Sequence, residues 1–113
     1  MNVLTVTIAT PADVSRRMLA AFSGKPQGAH LSFATADLLW KVLGPKRLDL
    51  LKAMAGKGPM TLRAVARAVE RDVKAVHGDV HALLDAGVIE RVANRKIAFP
   101  HDAIHVDFML RAA

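Results

Sequence analysis

Five histidines and sixteen Lys or Arg side chains carry most of the chemistry open to this chain. His77 and His81 lie four residues apart, and so do His101 and His105. Four imidazole nitrogens could in principle ligate Zn²⁺ and make a metal-responsive regulator. The two pairs fall on separate sequence elements, however, and no Cys supports them. The absence of Cys also removes a thiolate nucleophile and a disulfide scaffold, which is compatible with a reducing cytoplasm. Asp102 and Asp107, close to His101 and His105, offer acid–base pairs. Strand alternation accounts for His105 and Asp107 more simply, as a polar side. Gly24, Gly28, Gly44, Gly56 and Gly58 fit no strand–glycine–helix phosphate loop, and Ser15, Ser23 and Ser32 sit in no nucleophile elbow. The expectation is therefore a chain that is no enzyme and holds neither cofactor nor metal.

The cations point elsewhere. Residues 41–96 hold twelve of the sixteen basic residues and six of the ten acidic ones, which accounts for the whole net charge of +6. A basic middle with near-neutral ends suits a polyanionic partner, with a solvated surface as the simpler alternative. No membrane segment is expected. The longest charge-free runs, Met1 to Ala12 and Pro26 to Ala36, are shorter than the ~18 apolar residues a spanning helix needs. The N-terminus lacks the basic stretch and apolar block of a signal peptide.

One domain fits the 113 residues. With Tyr absent and only Trp40 and four Phe, its core must come mainly from Leu, Val, Ala, Ile and Met. Val3 to Ala9 is β-branched and reads as a strand. Thr10 and Pro11 open a helix with Val14, Met18 and Phe22 on one side, and Gly24 stops it. Lys25 to Ser32 reads as a loop. Thr35 caps a helix over Ala36 to Leu43, and Pro45 opens the next over Lys46 to Ala55, with Leu48, Leu51 and Met54/Ala55 on one face. Thr61 caps a short helix striped by Leu62, Val65, Ala66 and Val69. A longer helix runs from Asp72, its cap, to Ala86. Val73, Val76, Val80, Leu83 and Leu84 form its buried face, and Gly87 ends it. Val88 to Val92 and Lys96 to Phe99 make a hairpin around Ala93-Asn94-Arg95. Ala103 to Leu110 alternates as a strand, with Ile104, Val106, Phe108 and Leu110 on one side and His105, Asp107 and Met109 on the other.

Short helix, turn, longer helix and basic hairpin are the order of a winged helix-turn-helix, an α+β fold. On the long helix, the face opposite the Val/Leu stripe carries Lys74, Gly78, His81, Ala82 and Asp85, with Arg71 at its start and His77 at its flank. Gly78 costs roughly 1 kcal/mol relative to Ala on an exposed helix, which close backbone approach to DNA would explain. Arg63 and Arg67, on the shorter helix, and Arg91, Arg95 and Lys96, on the hairpin, suit phosphate contacts. Lys74 is the candidate for a base-edge contact with guanine, and His77 and His81 could also reach bases. The rival uses of such a domain are binding protein instead of DNA and sensing metal through histidine.

The stretch ERDVKAVHGDVHALLDAGVIERV, Glu70 to Val92, resembles the recognition helix and first wing strand of winged-helix transcriptional regulators of the MarR and ArsR types. With FPHDAIHVDF, Phe99 to Phe108, and the upstream LLWKVLGPKRLDLLKAM, it is similar to a group of small prokaryotic DNA-binding regulators. Some of that group are antitoxins paired with TumE-type toxins. The resemblance implies an autoregulating repressor, either a plain repressor or the antitoxin of a cognate toxin, and the expected compartment is the cytoplasm. Residues 1–34 are expected to form a strand–helix extension for dimerisation, 35–100 the winged domain, and 101–113 a C-terminal strand. The apolar terminal strands would leave open edges unless paired with a second chain or with each other. A homodimer would read two half-sites about one helical turn apart.

Overall fold

A computed structural model describes residues 1–8 and 29–109. The helix expected from Thr10 to Gly24, the first part of the loop and Leu110 lie outside the described residues. The elements are β1 (Val3–Ile8), β2 (Ala29–Phe33), α1 (Ala36–Val42), α2 (Pro45–Met54), α3 (Leu62–Ala68), α4 (Val73–Asp85), β3 (Glu90–Val92), β4 (Lys96–Ala98) and β5 (Ala103–Asp107).

Local chemistry sets most helix ends. The Thr35 hydroxyl accepts from the Leu38 N–H at 3.2 Å and the Thr61 hydroxyl from the Ala64 N–H at 3.1 Å, each satisfying a donor that the first helical turn leaves open. Pro45 stands in the first turn of α2, where its missing N–H has no cost. Asp72 departs from expectation. Its backbone carbonyl accepts from the Val76 N–H at 3.1 Å, but its carboxylate makes no capping bond to α4.

The C-terminal ends of α3 and α4 share one geometry. After α4, the Gly87 N–H reaches the Leu84 carbonyl at 3.1 Å and the Val88 N–H the Leu83 carbonyl at 3.0 Å. After α3, the Glu70 N–H reaches the Arg67 carbonyl at 3.2 Å and the Arg71 N–H the Ala66 carbonyl at 3.1 Å. Both are Schellman closures requiring a left-handed residue. Gly87 supplies it with φ +80°, and Glu70 supplies it with φ +55°.

Among the described residues, sixteen buried side chains form one core that reaches from β1 through α1, α2, α3 and α4 to the hairpin. Leu50 and Leu51 are both buried on α2, so its apolar surface is broader than the single stripe expected. On α4, Val76, Val80 and Leu83 face the core as expected. Val73 does not: it stands at the first helical position, next to exposed Asp72, and is 38% exposed. The β3–β4 hairpin gains a third partner, since Met60 bridges Ile97 with two backbone hydrogen bonds of 2.8 Å.

The terminal strands depart from expectation in one respect and take one of the two pairings that the sequence leaves open. Residues 29–32 belong to a strand and not a loop, since Ala29, Leu31 and Phe33 alternate with His30 and Ser32. Strands β2, β1 and β5 then form a parallel sheet in that order, with Val6 opposite both Leu31 and Val106. The termini thus pair within one chain, and β1 has no open edge to offer a partner. Asn2 fastens the junction. Its N–H donates to the Asp102 carboxylate at 2.9 Å and its side-chain amide donates to the Pro100 carbonyl at 2.7 Å.

Candidate nucleic-acid interface

Helix α4 presents two unlike polar sides. At i, i+3, i+4 and i+7, Lys74, His77, Gly78 and His81 fall on one stripe. Lys74, His77 and Gly78 are exposed and His81 is half-buried. A Cβ on Gly78 would meet no atom within 4 Å, so this part of the helix surface is open. Asp85 ends the stripe, exposed, one turn beyond His81.

The other polar side faces inward around Asp79. One of its carboxylate oxygens accepts from Arg71 Nη2 at 2.7 Å and the other from Arg47 Nε at 3.1 Å. Arg47 also donates from Nη1 to the carbonyls of Lys41 at 2.9 Å and Val42 at 3.2 Å. This group joins the end of α1, the start of α2, the α3–α4 turn and the middle of α4. It therefore fixes the angle at which α4 is held. Partial burial pushes the Asp79 carboxyl pKa up, but the hydrogen bonds and charges of Arg71 and Arg47 outweigh that and hold it below the ordinary carboxylate value. Arg71 Nη1 is buried without a hydrogen-bond partner, so this guanidinium depends on Asp79 to offset its desolvation.

Arg71 is therefore committed to the scaffold, unlike the other cations singled out from sequence. Arg63 and Arg67 are exposed on the side of α3 away from buried Val65 and Ala66. Arg91 and Arg95 are exposed on the hairpin, and Lys96 is half-buried at the start of β4. Among the described residues, none of Arg63, Arg67, Lys74, Arg91, Arg95 and Lys96 forms an ion pair; those of Arg47 and Arg71 with Asp79 are the ones present. Arg95 also has a left-handed backbone, φ +60°, beside Asn94 at +63°. Asn tolerates that region, whereas Arg is strained in it by about 1–2 kcal/mol. The hairpin thus holds a guanidinium at its tip against a local backbone preference.

Reading the sequence for exposed cations missed Arg47 and Asp79. Their spacing of 32 residues carries no local signal. The one local signal for Asp79 is an acidic side chain two positions before His81, on a helix that also carries Lys74 and His77.

The histidines separate into two settings. His77 and His81 approach to 3.0 Å between their Nε2 atoms. His101 instead contacts the Asn2 side-chain oxygen through Nδ1 at 3.0 Å and lies edge-on to Phe99, while His105 is exposed on β5. Asp102 is likewise engaged with Asn2. Among the described residues no three His, Asp or Glu side chains group as metal ligands, so the four-nitrogen site considered from sequence is not assembled.

Residues 42–106 match the model of the HVO_A0114 family, and the chain belongs to that family. No curated protein and no solved structure matches it. The matched segment runs from the end of α1 to β5 and so contains the Asp79 group, the α4 stripe and the hairpin. Among the described residues no helix is long and apolar enough to cross a membrane.

Proposed function

We propose that this chain is a transcriptional regulator that binds double-stranded DNA, sequence-specifically, through a winged helix-turn-helix, and that it acts by binding and not by catalysis. The observation that carries this reading is the contrast on α4: cations on one side are neutralised by Asp79, while those flanking the other side form no ion pair among the described residues. An exposed cation without a protein partner is available to a phosphate, and releasing the counterions of several phosphates drives association. Two further features support it. α3 and α4 are joined by a tight turn at Glu70, and the hairpin that follows is extended by Met60.

In this mechanism α4 enters the major groove. Lys74 donates to guanine acceptors, His77 and His81 lie against base edges, and Gly78 lets the helix backbone approach closely. Arg63 and Arg67 bind phosphates beside the groove, and Arg91, Arg95 and Lys96 bind those beneath the wing. Arg71 acts indirectly, by holding α4 at its angle. We propose further that the protein works in the cytoplasm as a homodimeric autorepressor, within the MarR/ArsR-like group, with a cognate toxin as a second partner. With β1 paired on both edges, dimerisation would use the outer edges of β2 or β5.

Footprinting on the DNA upstream of its own gene tests this. The expected result is a protected, imperfect palindrome whose half-sites lie about one helical turn apart, with protection weakening steeply as salt rises. Absence of a protected site together with salt-independent duplex binding overturns the reading. Light scattering at micromolar concentration tests the dimer, which a monomeric mass contradicts. Capture of the neighbouring gene product tests the toxin partnership.

A further inference from the structure

We propose that His77 and His81 form a two-nitrogen site for a divalent transition-metal ion on the outer face of α4. The 3.0 Å between their Nε2 atoms is the governing observation. Two metal–nitrogen bonds of about 2.0–2.1 Å meeting at a right angle set their nitrogens roughly 2.9 Å apart, whereas a tetrahedral angle sets them roughly 3.3 Å apart. The separation therefore suits two cis positions of a square-planar or octahedral ion, the preference of Cu²⁺ and Ni²⁺, and stretches slightly for Zn²⁺.

The backbone supplies this convergence. Residues four apart on an α-helix stand one above the other on the same face. The rings sit 4.2 Å apart between centroids and 45° from coplanar, with the two Nε2 atoms at hydrogen-bond distance from each other, a contact that a shared metal ion would replace. Gly78 lies between them with open space where a side chain would project, which leaves room for the waters that complete the coordination shell. Asp79, the carboxylate nearest in sequence, is occupied by Arg47 and Arg71. The protein thus contributes two neutral ligands and no charge. Such a site is open and exchangeable, unlike a closed structural metal centre. It requires only the two imidazoles, whatever surface α4 docks on.

Calorimetric titration of Ni²⁺ into the full, untagged chain near pH 7.5 tests the site. One ion is expected to bind per chain. His77→Gln and His81→Gln should each weaken binding at least about tenfold, because a chelate becomes a single ligand. His105→Gln, on the exposed side of β5, should leave affinity unchanged. All three positions have exposed or half-exposed side chains, and thermal melts of the variants verify that each is folded. Ni²⁺ affinity that is the same in the wild type and in the two α4 variants overturns the proposal, as does a wild type that takes up no ion.

Discussion

The two polar sides of α4 use the same kinds of residue for opposite ends. Around Asp79, two arginines are immobilised by a carboxylate whose side chain is 18% exposed, and their charges are spent on holding four elements together. Along Lys74, His77, Gly78 and His81 no ion pair among the described residues neutralises the charge, and a Cβ on Gly78 would meet no atom within 4 Å. A count of cations along the sequence cannot separate these sides. Arg71 and Lys74 are three residues apart, and only the position of a carboxylate five residues beyond Lys74 makes one a brace and the other a candidate contact.

The largest effect tests what both sides share. Leu83 is fully buried beneath α4. Leu83→Ala should cost about 2–5 kcal/mol in chemical denaturation and weaken any duplex binding only through loss of fold. A variant that keeps its stability but loses DNA would place Leu83 outside the core and break the comparison.

Next comes the brace. Asp79→Asn leaves two guanidiniums facing a neutral amide and should cost about 1–3 kcal/mol. The pH dependence has a definite sign. Because the folded-state pKa of Asp79 is lowered, its contribution is present above the ordinary carboxylate value of about 3.9 and is lost as pH falls through the lower folded value. Thermal melts across the acid range should therefore show a steeper loss in the wild type than in Asp79→Asn. Equal acid limbs would mean that the arginines do not depend on this carboxylate.

The open side should respond in binding and not in stability. Lys74→Ala is expected to lose about 1–3 kcal/mol of discrimination between operator and random duplex. Arg95→Ala should weaken both duplexes alike and flatten the salt dependence. Operator preference that survives Lys74→Ala would show that the face is phased incorrectly.

The smallest effect concerns the turn before α4. Glu70→Gly relieves a left-handed backbone at φ +55° and should stabilise the protein by about 1 kcal/mol. Gly87→Ala imposes the same strain at φ +80° and should destabilise by a similar amount. Opposite shifts in melting temperature check the pair.

The helical part of the fold was legible because its signals are local. Thr35 and Thr61 cap, Pro45 opens and Gly87 closes through contacts only a few residues long. Features that depend on distant partners were not. The alternation of residues 29–33 was obscured by the neighbouring Pro26 and Gly28, and its pairing with β1 lies more than twenty residues away. The bridge from Met60 to Ile97 and the reach of Arg47 to Asp79 have no periodicity to betray them. Val73 continues the apolar stripe of α4 in sequence yet is exposed, since a helical wheel does not show where the packing behind a helix ends. At the candidate site, the unpaired cations were legible from charge and phase, and the commitment of Arg71 was not.

The most direct measurement is a map of backbone amide shifts in the ¹⁵N-labelled full chain as the footprinted duplex is added. The account predicts that the largest changes fall at Lys74, His77, Gly78 and His81 and along Arg91 to Lys96, with little change in β1 and β2. Changes concentrated in the parallel sheet, with the outer stripe of α4 undisturbed, would contradict it.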